Sequence, residues 1–174
     1  AKKSGRPVRI RLTRDMDQAI TGKRHPFQSD WKIAFDDTGR IEAYHVDMHV
    51  DGGMATDLTM AILERGMLHA ENAYFIPNIR INGHSWKTNL PSNVAFRGFG
   101  QPQGMAVIEN AIDAIARYLG KDANEIRRIN YYDTKDRNIA PYGAEITQNH
   151  LLKIEEEILK CSDYLNRKKE IDDF

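Results

Sequence analysis

Residues 31–50 read WKIAFDDTGRIEAYHVDMHV, two runs of period two around the turn signal Asp36-Asp37-Thr38-Gly39. Alternation of this kind marks strands with one buried face, and the Asp/Gly turn between them predicts a hairpin from 31–35 to 40–50. In the second strand Glu42, Tyr44, Val46, Met48 and Val50 share one side, and Ile41, Ala43, His45, Asp47 and His49 the other. Working backward, residues 6–14 (RPVRIRLTR) alternate Val8, Ile10 and Leu12 with Arg9 and Arg11, and they too read as a strand. Working forward, the period changes near Thr56 to that of a helix running to about Asn72, with Thr56 or Asp57 as its cap. YFIPNIRI (74–81) is extended, with a bend or edge at Pro77, and 82–101 is rich in loop residues. Pro102 stands at a first helical position, Met105, Ile108, Ile112, Ile115 and Leu119 mark a buried face, and Gly120 ends that helix. Asp122 and Glu125 open a short helix to Tyr132, and two more helices are expected at 148–160 and 163–172. Strands first and helices later give the α+β class, a mixed sheet with packed helices.

The 174 residues carry 25 basic and 25 acidic side chains and are 41% hydrophobic. A zero net charge argues against a surface built for nucleic acid or anionic lipid, both of which need a basic excess. One cysteine, Cys161, can form neither an internal disulfide nor a four-thiolate zinc site nor an iron–sulfur cluster. Cytoplasm is the default expectation for its location. No apolar run approaches the roughly 20 residues of a membrane span, and the opening AKKSGRP has no apolar core of a signal peptide.

The stretch KTNLPSNVAFRGFGQPQG (87–104) carries the chemistry. Glycines 98 and 100 permit positive φ and close approach of backbone amides to a ligand. The helix start behind them leaves N–H groups unpaired and favours anionic groups. A planar, negatively polarised ligand suits such a place. The glycines at 98, 100 and 104 do not match the dinucleotide fingerprint, because the third is one residue late. From the residues alone a second reading stands beside the first: a turn that delivers Phe99 into a core, with Arg97 solvated.

Over its whole length this stretch resembles the signature loop of the xanthine dehydrogenase and aldehyde oxidase family of molybdenum hydroxylases. The resemblance extends upstream through GRPVRIRLTRD, TGKRHPF and ILERGMLHAENAYFIPNIR and downstream through EIRRINYYD, and it weakens after about residue 135. It implies that residues 1–174 are an internal segment of a molybdenum-cofactor-binding domain, strand-rich over 1–55, with a helix and the signature loop over 56–101, and helical over 102–174. It also implies hydroxylation of a purine such as xanthine with oxygen from water. Iron–sulfur clusters and FAD would sit on other domains or subunits, in a homo-oligomeric assembly, and this chain alone would be inactive. The alternatives are an aldehyde or N-heterocycle oxidase of the same family and, outside enzymology, an interaction module that retains the fold.

Residue by residue, the resemblance places Arg97 and Gly98 beside the molybdenum cofactor and Phe99 against the substrate ring. Arg65, in ILERGMLH, falls where xanthine-oxidising members point an arginine at a substrate carbonyl oxygen. The family's general-base glutamate, the second carboxylate that grips the purine and several pterin contacts have no counterpart here, and Glu42, Glu64 and Glu71 do not sit in the corresponding motifs. Gln101 departs from the glycine usual in xanthine-oxidising members.

Four other features take plain readings. His45 and His49 share a strand face about 13 Å apart, too far to chelate one ion. The run from Lys121 to Arg128 is helix surface. Arg6, Arg9 and Arg11 protect a strand edge. Cys161 is an inert thiol in an apolar helical context.

Overall fold

A computed structural model describes all residues 1–174. In chain order the elements are α1 (Arg14–Ile20), β1 (Phe27–Phe35), β2 (Ile41–Gly53), α2 (Thr59–Met67), β3 (Ile79–Lys87), α3 (Gln101–Leu119), α4 (Ala123–Asn130), α5 (Leu151–Cys161) and α6 (Tyr164–Asp172). The strands form one mixed sheet in the order β1-β2-β3, an α+β arrangement as the sequence predicts. β1 and β2 are antiparallel, while β2 and β3 run parallel, joined by a crossover through α2.

The hairpin forms where its turn chemistry places it. The Asp36 carboxylate accepts from Thr38 N (2.9 Å), Thr38 Oγ1 (2.5 Å) and Arg40 N (3.0 Å), and Gly39 takes φ 95°. One register detail differs from the alternation. A bulge leaves Glu42 unpaired, with Phe35 opposite Ile41 and Ala34 opposite Ala43. Ile41 therefore joins Tyr44, Val46, Met48 and Val50 in the core, and Glu42 is exposed. An extra residue in one strand exchanges faces on either side of it.

The core lies between the inner face of the sheet and α3. Ile108, Ala111, Ile112, Ile115 and Ala116 form its stripe at spacings of three and four, the pattern of a helix with one buried face. Gly120, at φ 64°, ends α3 by donating to Arg117 O. Asp122 caps α4 through its side chain. Fully buried Asn130 ties α4 to the hairpin: its Oδ1 accepts from Ile41 N (2.9 Å), and its Nδ2 donates to Gly39 O (2.9 Å) and Ile126 O (2.8 Å).

Three expectations are corrected. Residues 6–14 are not a strand. Val8 and Ile10 are exposed, and from Arg14 the chain turns into α1, capped by Thr13 Oγ1. Alternation records a face, but a strand also needs a neighbouring edge, and none meets this segment. Residues 82–87 are not loop; they complete β3, parallel to β2. Their pattern is hidden because the inward position 83 is glycine, where a Cβ would meet Met67 Sδ at 2.5 Å and Leu63 Cγ at 3.1 Å. Side chains of α2 and its C-terminal end occupy that space. Finally, α5 and α6 bury no residue, so Cys161 is exposed. These helices are held by polar contacts, among them Arg128 to Glu156 (2.9 Å) and Tyr164 Oη to Asp122 (2.9 Å). No helix is long and apolar enough to cross a membrane.

Candidate functional site

The signature loop enters α3 through three successive residues of positive φ: Gly98 (94°), Phe99 (50°) and Gly100 (97°). Glycine takes this conformation freely, whereas for Phe99 it is strained. Local hydrogen bonds hold it, from Phe99 N to Phe96 O (2.8 Å) and from Gln101 N to Gly98 O (2.9 Å). Strain of this kind persists only where surroundings over-determine it.

Those surroundings are helix α2. A Cβ on Gly100 would lie 3.0 Å from the carbonyl carbon of Ile62 and 3.1 Å from Gly66 N. One on Gly104 would lie 3.0 Å from the carbonyl carbon of Gly66 and 3.3 Å from its Cα. Thus α2 and the start of α3 meet backbone to backbone, through glycines on both sides. Arg65 and Phe99 are each one residue from this contact. The fold brings the two predicted pocket residues to the same junction, although 34 positions separate them in the sequence.

The loop is laced to the segment before β1 and to the end of β2. Arg24 Nη2 donates to Arg97 O at 2.7 Å, and the Arg24 guanidinium lies 4.3 Å from the Phe96 ring centroid. Val94 N donates to Lys23 O (3.0 Å), Gln103 Nε2 to His25 O (3.2 Å) and Asn93 Nδ2 to Asp51 O (3.0 Å). Buried His25 pairs through Nε2 with Thr59 Oγ1 at 2.8 Å, and burial lowers its pKa. Sequence reasoning passed over Arg24, Gln103 and Gly66. Only Gly66, a breaker inside a helical pattern, left a readable signal.

The predicted residues are placed as follows. Arg97 and Gly98 are exposed, Phe99 is half-buried and Arg65 is exposed. Phe99 is not delivered into the core. Neither Arg65 nor Arg97 has a carboxylate within ion-pair distance. Arg65 instead sits in the last turn of α2, where its charge adds to burial in lowering the pKa of His69.

Backbone N–H groups of Arg97, Gly98 and Gly100 donate to no acceptor in the chain. They stand at the start of a 19-residue helix, where the macrodipole favours negative charge. Gly98 has no room for a side chain, since a Cβ would meet Pro102 Cγ at 2.6 Å. A molybdenum–pterin group is rich in oxygen acceptors, and these free donors, with two unpaired arginines, fit it.

His45, Asp47 and His84 cluster on the outer sheet face, with His45 Nε2 3.3 Å from Asp47, but His45, His49 and their neighbours form no set able to hold a metal ion.

Comparison with known proteins agrees with this geometry. The molybdopterin cofactor-binding domain family matches residues 1–131. Among relatives, a xanthine dehydrogenase of Calliphora vicina is 45% identical over 97% of this chain, and aldehyde oxidase 3 of Mus musculus is 42% identical over all of it. The chain spans only 12% and 13% of those proteins. The aldehyde oxidoreductase of Desulfovibrio desulfuricans superposes with a TM-score of 0.86 at 30% identity, over 99% of this chain and 18% of that one. The chain belongs to the molybdopterin cofactor-binding domain family of the molybdenum hydroxylases, a family of oxidoreductases.

Proposed function

We propose that this chain serves as the cofactor-loop and substrate-pocket portion of a xanthine dehydrogenase-type enzyme that hydroxylates a purine. The observation that carries the reading is the glycine junction, which sets an unpaired arginine on α2 beside a strained aromatic residue at the mouth of the signature loop. When bound, the molybdenum cofactor supplies the two-electron oxidation and oxygen transfer. The chain's own residues do the rest of what is proposed here. Free N–H groups of Arg97, Gly98 and Gly100 hold acceptor oxygens of the cofactor, and the Arg24 clamp keeps that loop in place. The Phe99 ring stacks on the purine, contributing about 0.5–1.5 kcal/mol beyond burial and setting its orientation. Arg65 donates to a purine carbonyl oxygen as negative charge builds there, a role typically worth about 10²–10³ in rate. Iron–sulfur clusters and FAD belong in this proposal to other domains or subunits; for the clusters, the single cysteine cannot hold one. A homo-oligomeric, cytoplasmic assembly completes the proposal.

A second reading, aldehyde or N-heterocycle oxidation, draws on Gln101, whose Nε2 lies 3.4 Å from Met105 Sδ at the loop's exit, and on the 42% identity to aldehyde oxidase 3 of Mus musculus. One experiment separates the two: steady-state oxidation of xanthine and of an aromatic aldehyde by the full assembly, with and without Arg65→Ala. Loss of xanthine turnover by about 10²-fold with aldehyde turnover spared is expected. An assembly that never oxidises xanthine, or a variant that changes nothing, would refute the purine assignment and leave the second reading.

A further inference from the structure

A cavity of about 300 Å³ opens between the turn after α2 and the segment leading into α5. It shares no lining residue with the signature loop. Its floor is Glu71, 3% exposed, and Tyr132, 6% exposed; Tyr142, Gln148 and His150 stand exposed around its mouth, with Asn149 half-buried among them. The Glu71 carboxyl has no side-chain hydrogen-bond partner and no cation within ion-pair distance. Tyr132, which lines the same cavity, carries a buried Oη that also lacks a partner. A nearly buried carboxyl without a counter-charge and an unsatisfied buried hydroxyl on residues lining one small space are a recognised mark of a ligand site, since such groups are destabilising until partnered.

The chemistry of the lining selects the ligand. A buried carboxyl without a counter-charge repels anions and is stabilised by a cation. Tyrosine faces attract cations as well, and Tyr132, Tyr142 and the Gln148 amide provide further acceptors. The volume is at the small end for ligand pockets, too small for a large cofactor and ample for a short alkyl chain. We propose that this cavity binds a protonated alkylamine head, with its ammonium against Glu71 and Tyr132 and its alkyl part directed past Tyr142 and His150. The head belongs either to a free small amine or to a lysine side chain of another protein segment. Burial independently pushes the Glu71 carboxyl up to about 7, so an arriving ammonium displaces its proton. The other titratable groups lining the cavity are Tyr132, Tyr142 and His150.

The test is a titration of the isotope-labelled 174-residue chain at pH 8 with ethylammonium chloride, read by NMR at the Glu71 side-chain carboxyl carbon. A saturable shift is expected below about 100 mM, where even a site with Kd near 10 mM fills. Glu71→Gln, an isostere of the protonated acid, should fold and bind at least about tenfold more weakly. Tyr132→Phe should bind severalfold more weakly and supplies the answer if the first variant fails to fold. A parallel titration with Nα-acetyl-lysinamide distinguishes the sources: tighter binding than ethylammonium identifies a lysine side chain, and weaker binding a free amine. Absence of a saturable shift, or equal binding by wild type and both variants, overturns the proposal.

Discussion

Replacing Gly104 by alanine sets two effects of opposite sign against each other. Gly104 lies in the first turn of α3 with ordinary helical backbone, and alanine in a helix is favoured over glycine by about 1 kcal/mol. Propensity alone therefore gives a more stable chain. The helix junction gives the reverse. The new methyl group would stand 3.0 Å from the carbonyl carbon of Gly66 and 3.3 Å from its Cα, with the carbonyl oxygen nearer still. Carbon contacts are optimal at roughly 3.5–4.0 Å, so α2 must retreat from α3 by on the order of 1 Å. Overpacking typically costs about 1–3 kcal/mol, and the upper end applies because the obstacle is backbone that no rotamer change can move. The net loss expected is about 2 kcal/mol. Gly120→Ala serves as a control. It has φ 64° and nothing within 4 Å of a Cβ, so only the left-handed backbone opposes it, at about 1–2 kcal/mol. Equilibrium urea unfolding followed by circular dichroism and by fluorescence of Trp31 and Trp86 measures both variants. A Gly104→Ala chain as stable as wild type, or more so, would refute the account of the junction.

The remaining expectations concern the joint between hairpin and helix and the buried carboxyl. Asn130→Ala leaves Ile41 N–H and the carbonyls of Gly39 and Ile126 without their partner in a fully buried place, so urea unfolding should show a loss of about 3 kcal/mol or more; a loss below about 1 kcal/mol would mean that water or relaxation replaces all three bonds. Glu71 titrates at about 7 in the folded chain against 4.5 unfolded. The folded chain thus binds the proton more tightly, a stabilising contribution fully present below pH 4.5, lost as the pH rises to about 7 and level above it, with a span of up to roughly 3 kcal/mol. His25, its pKa lowered by burial, acts in the opposite sense, so the measured quantity is the difference between wild type and Glu71→Gln across pH 4–8; a flat difference would refute the assignment.

Some of the fold was legible because water imposed it. The hairpin and α3 each bury one face, and burial on one face writes a period of two or of 3.6 into the sequence. What escaped has equally physical causes. The second half of β3 shows no alternation, because Gly83 yields its inward space to Met67 and Leu63 while Arg80, Asn82, His84 and Trp86 point outward. The bulge at Glu42 exchanges two faces without changing composition. Residues 6–14 carry a strand's pattern, but pairing is a relation between segments, and a single segment's pattern does not reveal its neighbour.

The candidate site was legible to a different depth. Glycines 98 and 100 announced positive φ, and the loop has it; the positive φ of Phe99 left no mark, since nothing in its residue type favours that conformation. Arg24 and Gln103 act on the carbonyls of Arg97 and His25, and a bond to a carbonyl, which every residue has, leaves no signature at the accepting position. Gly66 is the instructive case. Within ERGML it looks like a weak point in a helix, yet a Cβ there would press on Gly100 O and the Phe27 ring at 3.3 Å, while Gly100 and Gly104, lacking side chains themselves, reach the α2 backbone. Arg65 and Phe99 are thereby attached to one rigid junction instead of to two independent loops. In the proposed role, a charge at one edge of a planar substrate and a ring over its face must keep their separation to a fraction of an ångström to be useful. Close packing of two helix backbones is among the stiffest ways to hold that separation, and three glycines in two distant sequence segments are what it requires.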